Sequence, residues 1–272
     1  MSLSPIAKPF RHAVIIGVDG AGAFFKDAAT PAFDRIFKEG AVTFSMLTSM
    51  PTISAECWGA LLHGVEPEFH GLTNRKSMEQ PYDPASPYPS IFRVVREAHP
   101  EARLGSFSCW PAINIGIVED GLEVHKSVAP DPELTEEILA YLEQGIPELL
   151  FVQLDHVDHA GHTCGYGTKE HLDSITEADG RYGRIFEKYA EKGVLEETLF
   201  MVVSDHGGNG KTHGGDSDQE KYITFAAAGH NVNSKCAFEN ARIKDLAAIT
   251  AYALGIEAPA SWAAQVPEGL FC

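Results

Sequence analysis

The chain has 272 residues, 44% of them hydrophobic, which is enough for a sizeable core in one α/β domain. Acidic residues outnumber basic ones 38 to 21, and the formal charge of -17 argues against broad electrostatic binding to nucleic acid or an anionic membrane. The 5 cysteines are scattered without a CxxC pair, and no apolar run reaches membrane-spanning length. The expectation is therefore a protein without a disulfide framework, signal peptide or membrane span, in a reducing cytoplasm.

Residues 12–18 are a β-branched run without polar alternation, as in a parallel strand buried on both faces, and they lead into Asp19. Thr30-Pro31 predicts a helix start with Thr30 as N-cap and Gly40 as stop, followed by a strand over 41–47. Ser54 opens a further helix that Gly64 ends, with Trp58, Leu61 and Leu62 turned inward. A hydroxyl there serves either as an N-cap or as a nucleophile where the helix dipole favours anions, and Thr52 is its rival.

Residues 65–89, rich in Pro, Gly and polar groups, read as a loop over one edge of a site. A short helix over 90–98 and a strand over 102–109 follow. Residues 110–130 read as irregular, with Trp110 placed in the core. Asp131 is expected to cap a helix over 132–144 that Gly145 stops.

A buried strand over 148–155 runs into a cluster of His156, Asp158, His159 and His162. Asp158 and His162 are one helical turn apart and share a face, with Asp155, His156 and His159 as competitors. The helix over 171–192 carries a core stripe of Leu172, Ile175, Ala178, Tyr182, Ile185 and Tyr189. The strand over 199–203 stops at Asp205-His206 and dissolves into glycines, with His213 close behind. Carboxylate and imidazole both suit a divalent transition metal. A strand over 222–228, a helix over 241–254 and a Pro- and Ala-rich tail, expected on the surface, complete the chain.

Strands alternate with helices throughout, which predicts an α/β fold with a mostly parallel central sheet and helices on both faces. Nothing in the composition marks a second domain, so residues 1–272 are expected to form one catalytic domain without a large cap. Asp19, Ser54, the Asp158–His162 pair and the Asp205–His206 pair each follow a strand, at the edge where such sheets bind ligands.

This set of motifs resembles the alkaline phosphatase superfamily, and within it the nucleotide pyrophosphatase/phosphodiesterase branch. The resemblance runs from Val18-Asp19-Gly20 to the Ala-Tyr-Ala-Leu-Gly-Ile segment near the C-terminus and includes the L-x-x-G-x-x-P-x-x-H-G pattern ending at Gly71. It implies an alkaline phosphatase-like core with Ser54 as nucleophile and metal ligand. Asp158, His162 and His213 would then hold one metal, and Asp19, Asp205 and His206 a second. It further implies two divalent ions, zinc first with manganese or iron as alternatives, and two-metal hydrolysis of a small anionic phosphate ester through a covalent Ser54 intermediate.

Phosphodiesters or nucleotide pyrophosphates are the implied substrates; phosphomonoesters, phosphonates and a phosphomutase reaction are alternatives. A non-catalytic metal-binding module is the reading of another class. Ala55 follows Ser54 where a sulfatase would carry its Pro-Arg signature, so that branch fails. Cys57 stands three residues after Ser54, where the phosphodiesterase branch is expected to carry an oxyanion-binding Asn; Asn74, Lys211 or a backbone N–H is the expected replacement. His63, His70, His159 and His230 are expected to orient ligands or to lie on the surface.

Overall fold

The β-branched run at the start of the chain becomes the central strand of the molecule. In the computed structural model, which describes Ile6 and residues 8–272, this strand is β1 (His12–Val18). The reading of the N-terminal residues as leaderless lies largely outside the described residues. Six more strands follow: β2 (Ala41–Leu47), β3 (Leu104–Ser108), β4 (Val124–Val128), β5 (Leu149–Leu154), β6 (Thr198–Val203) and β7 (Tyr222–Ala228). They form a 7-stranded sheet in the order β2-β7-β6-β1-β5-β3-β4. Only β7 runs against the others, pairing antiparallel with both β6 and β2.

The helices are α1 (Pro31–Ile36), α2 (Ser54–His63), α3 (Pro67–His70), α4 (Asn74–Glu79), α5 (Ile91–Ala98), α6 (Asp131–Glu143), α7 (His156–Cys164), α8 (Lys169–Glu191), α9 (Asp218–Lys221) and α10 (Asp245–Ala253). Successive side chains of a strand point to opposite faces, and β1 shows the consequence. Val14, Ile16 and Val18 pack with Phe33, Ile138 and Tyr182 from α1, α6 and α8. Ala13 and Ile15 pack with Trp58, Phe92 and Leu246 from α2, α5 and α10. Helices therefore cover both faces, as the unalternating apolar runs require.

Several local expectations change. The stretch 65–89 contains α3 and α4 rather than a plain loop. The stretch 110–130 contains one wide helical turn, Ile113–Ile117, and the edge strand β4. β4 reads Val-His-Lys-Ser-Val and is half exposed, so it carries no apolar signal; its pairing with β3 makes it a strand. Trp110 is half-buried against the core on the α2 side. The long helix starts earlier than its apolar stripe, at Lys169, because the Thr168 hydroxyl caps it by accepting from His171 N–H. Among the described residues no helix is long and apolar enough to cross a membrane, and all five cysteines are unpaired.

The C-terminal tail is not a surface strap. Trp262 is 8% exposed and Leu270 fully buried, both in the α2-side core. The Trp262 indole N–H donates to Pro89 O at 2.9 Å, and Ala263 and Ala264 N–H both reach Gly64 O at 2.9 Å. The tail thus pins the end of α2. Trp262→Ala is expected to lower stability by about 3 kcal/mol, since it empties a large packed site. Urea denaturation checks this, and a loss under about 1 kcal/mol would mean the tail is not part of the core.

Candidate active site

The central strand delivers the first carboxylate. β1 pairs with β5 on one side and β6 on the other, so Asp19 emerges between the ends of both. Asp19 is 1% exposed, and its Oδ2 accepts from Trp58 Nε1 at 2.9 Å and Gln153 Nε2 at 2.8 Å. Its Oδ1 is buried without a hydrogen-bond partner. Asp205 repeats the pattern at the end of β6. Its Oδ1 accepts from Gly20 N–H at 3.0 Å and His206 N–H at 2.8 Å, while Oδ2 is buried and unpartnered.

Both unpartnered oxygens face one imidazole nitrogen. His206 Nε2 lies 3.6 Å from Asp19 Oδ1 and 3.2 Å from Asp205 Oδ2. His206 Nδ1 faces Gly207 O at 2.9 Å. A carbonyl only accepts, so Nδ1 carries the proton and Nε2 presents a lone pair. Burial also holds the His206 imidazole below its ordinary pKa. Burial and the charges of Asp205, Asp158 and Asp155 push the Asp19 carboxyl well above the usual range. Burial and the charge of Asp158 also push the Asp205 carboxyl up. Three acceptor atoms thus converge in a buried pocket, and buried polar atoms without partners are costly.

A second cluster forms from α7 and the glycine-rich segment after β6. His162 Nε2 is 3.3 Å from Asp158 Oδ2, and His213 Nε2 is 3.9 Å from Asp158 Oδ1. The two Nε2 atoms are only 3.2 Å apart. His162 Nδ1 faces Lys211 O at 3.0 Å and His213 Nδ1 faces Thr52 O at 2.7 Å, so both Nε2 lone pairs point into the cluster. The Asp158 carboxylate raises His162 to about 9, so a proton and a cation compete for that nitrogen. The clusters abut, because the His206 and His213 rings stack with centroids 3.9 Å apart.

Gly20 joins them. It adopts φ +69°, and a Cβ there would stand 2.5 Å from Asp158 Oδ1. Only glycine lets the backbone turn here while its N–H holds Asp205. Each cluster, Asp158–His162–His213 and Asp19–Asp205–His206, keeps its donor atoms within 4.8 Å of one another. The mixed carboxylate–imidazole sets fit a divalent transition metal in each, and the two unpartnered oxygens of Asp19 and Asp205 add to that fit in the second.

Ser54 is the first residue of α2, and Ile53 holds the cap position, so the hydroxyl is not an N-cap. Its Oγ sits 3.3 Å from His206 Nε2, at the edge of the Asp19 cluster. The rival Thr52 is fully occupied: its hydroxyl donates to Gly215 O at 2.8 Å and accepts from Gly214 N–H at 2.9 Å. Cys57 does not reach the site, because its thiol is buried and faces Ser49 O and Pro51 O. Asn74 reaches it instead. Its Oδ1 accepts from Ala55 N–H at 3.0 Å, which places the carboxamide beside Ser54 and leaves its NH2 group to donate. Lys211 turns away to Thr163 O at 2.6 Å.

Three supporting residues carry no signal in the sequence. Tyr166 O–H donates to Asp158 Oδ1 at 2.5 Å, and Gln153 and Trp58 hold Asp19. His63, His70 and His230 bond main-chain groups elsewhere, and His159 is exposed. His156 and Asp155 stay outside both clusters. Asp205→Ala or His206→Ala is expected to reduce bound divalent metal per chain, and chelation should lower the Tm of the parent protein, because the remaining carboxylates lose their counter-charge. Unchanged metal content by elemental analysis would remove both residues from the ligand set.

The sequence profile of the Type I phosphodiesterase / nucleotide pyrophosphatase family matches residues 13–245. Human ectonucleotide pyrophosphatase/phosphodiesterase family member 1 is 22% identical over 198 residues, which cover 65% of this chain and 21% of that protein. The mouse protein of the same name is 21% identical over 194 residues. The chain thus spans about a fifth of the length of the curated relatives it matches. Murine ectonucleotide pyrophosphatase/phosphodiesterase 5 superposes with a TM-score of 0.73 at 13% identity, covering 91% of this chain and 96% of that chain. A 2-O GAG sulfatase superposes with a TM-score of 0.74 at 14% identity, covering 95% of this chain and 73% of that chain. At such identities the superpositions establish the fold alone. With the profile matching most of its length, the chain belongs to the Type I phosphodiesterase / nucleotide pyrophosphatase family of the alkaline phosphatase superfamily.

Proposed function

We propose that the chain hydrolyses phosphodiesters or nucleotide pyrophosphates with two divalent cations and a covalent Ser54 intermediate. The observation that carries this reading is the position of Ser54 Oγ, 3.3 Å from His206 Nε2 at the edge of one donor cluster, with the second cluster stacked against it through His213. Asp19, Asp205 and His206 would hold one cation, and Asp158, His162 and His213 the other; zinc suits both sets, and manganese or iron are alternatives. When bound, the cations lower the proton affinity of the Ser54 hydroxyl and neutralise charge on the phosphoryl oxygens.

The residues of the chain supply the rest. Ser54 Oγ attacks phosphorus and the leaving alcohol or phosphate departs in line; water then cleaves the phosphoseryl bond and returns the hydroxyl. The N-terminus of α2 directs its dipole at the anion. The Asn74 carboxamide, fixed by Ala55 N–H, donates to a non-bridging oxygen and does the work expected at position Cys57. Trp58 Nε1–H and Gln153 Nε2–H fix the Asp19 carboxylate so that its other oxygen stays available.

Charge supports a diester over a monoester. A dianionic monoester needs an additional cationic clamp, yet Arg75, Arg93 and Arg242 are drawn to Glu79, Glu119 and Glu66. Ser54→Ala is expected to reduce turnover of bis-(nitrophenyl) phosphate by on the order of 10³-fold or more while bound metal stays unchanged. Surviving turnover would move the nucleophile elsewhere. Faster hydrolysis of nitrophenyl phosphate than of the diester would place the chain with monoesterases, and no turnover of either would favour a phosphonate substrate, a mutase or a binding role. Asn74→Ala is expected to lower kcat roughly 10²-fold, the usual cost of losing one oxyanion donor. A rise in KM alone, with kcat unchanged, would reassign Asn74 to ground-state binding.

A further inference from the structure

A third group of ligand-type side chains lies outside both clusters. Cys109 follows β3, Asp131 opens α6 and His156 opens α7, and their donor atoms lie within 4.8 Å of one another. The three come from segments far apart in sequence and meet at the same carboxyl edge of the sheet. None of them belongs to the two clusters already described.

Asp131 is the fixed point. It is 1% exposed, and its two oxygens accept from Asp155 N–H at 3.0 Å and His156 N–H at 3.1 Å. These bonds cap the start of α7 rather than that of α6, where Asp131 was expected to act. Each carboxylate oxygen keeps a further lone pair, and the N–H bonds orient the group as ligating carboxylates are commonly oriented. His156 Nδ1 stands 3.9 Å from Asp131 Oδ2. Cys109 is anchored from its main chain, N–H to Gln153 O at 3.1 Å, with the thiol facing Asp131. Around a tetrahedral zinc ion, sulfur, nitrogen and oxygen ligands at their usual bond lengths stand about 3.3–3.6 Å apart, so small rotamer changes close the set.

Capping of α7 accounts for Asp131 but not for a thiol and an imidazole converging on the same carboxylate. Burial and the charges of Asp131 and Asp155 push the Cys109 thiol up to about 12, so it is not a free nucleophile. A divalent cation would take the place of the thiol proton and hold the thiolate beside the buried carboxylate.

We propose that Cys109, Asp131 and His156 form a third site for a divalent transition metal ion, with zinc preferred by its mixed S, O and N ligands. Such an ion would tie the ends of β3 and α6 to the first turn of α7, the helix that carries Asp158 and His162.

Cobalt(II) is the probe, because a thiolate ligand gives a near-ultraviolet charge-transfer band and carboxylate–imidazole sets do not. The other two clusters contain no sulfur, so the band reports this site whatever the fate of the proposed hydrolysis. Metal-free protein titrated with cobalt should develop the band and take up three ions per chain, one for each cluster. Cys109→Ser should lose the band and one ion while the diesterase turnover of the metal-loaded enzyme is kept. His156→Ala should lose the band as well, and Cys164→Ser, at the exposed end of α7, should keep it. Absence of the band in the parent protein at saturating cobalt, or its persistence in Cys109→Ser, would overturn the proposal.

Discussion

Two carboxylates buried side by side, each with one oxygen left unpartnered, are the constraint on which this structure turns. Asp19 and Asp205 are both buried, and each leaves one oxygen without a hydrogen-bond donor. Burying a carboxylate is costly unless it is hydrogen-bonded and paired with positive charge. The fold meets the first requirement by donating to one oxygen of each group, through Trp58 and Gln153 for Asp19 and through Gly20 and His206 N–H for Asp205. The other oxygens are left to converge on His206 Nε2, which is itself kept as an acceptor by the Gly207 carbonyl.

The same contacts couple the nucleophile helix to the sheet. Trp58 projects from the second turn of α2, lies over Gly17 of β1 and bonds Asp19 with its indole N–H. A Cβ at Gly17 would stand 2.4 Å from that ring, so the helix could not approach without the glycine. One side chain thereby sets both the orientation of a carboxylate and the distance of Ser54 from the cluster. Tyr166 plays a comparable part on the other side, bonding Asp158 while its ring lies against Gly161 and Gly208.

Much of the architecture was legible because buried parallel strands write themselves as apolar runs. β1, β5 and β6 were each visible, and each ends near residues that the structure brings together. Elements that draw their stability from a neighbour were not legible. β4 is half exposed and exists through β3, and α3 and α4 are too short for a periodic signal. The Pro and Ala content of the tail points to the surface, but composition does not show that Trp262 and Leu270 find a place in the α2-side core.

The sequence by itself determined which residue types end the strands: Asp19, Asp205-His206, and Asp158 with His162 one helical turn apart. Strand direction and helical periodicity are local properties, so these positions follow from short-range physics. Tertiary structure alone decided which groups hold them. Asn74 reaches Ala55, Gln153 reaches Asp19 across 134 positions, and Asp131 caps α7 rather than its own helix. Cys57 occupies the position of the expected oxyanion-binding Asn but faces Ser49 O and Pro51 O, because the helix turns it inward. Such contacts depend on strand order, which is settled by how the two apolar faces of the sheet are covered and not by any local stretch of chain.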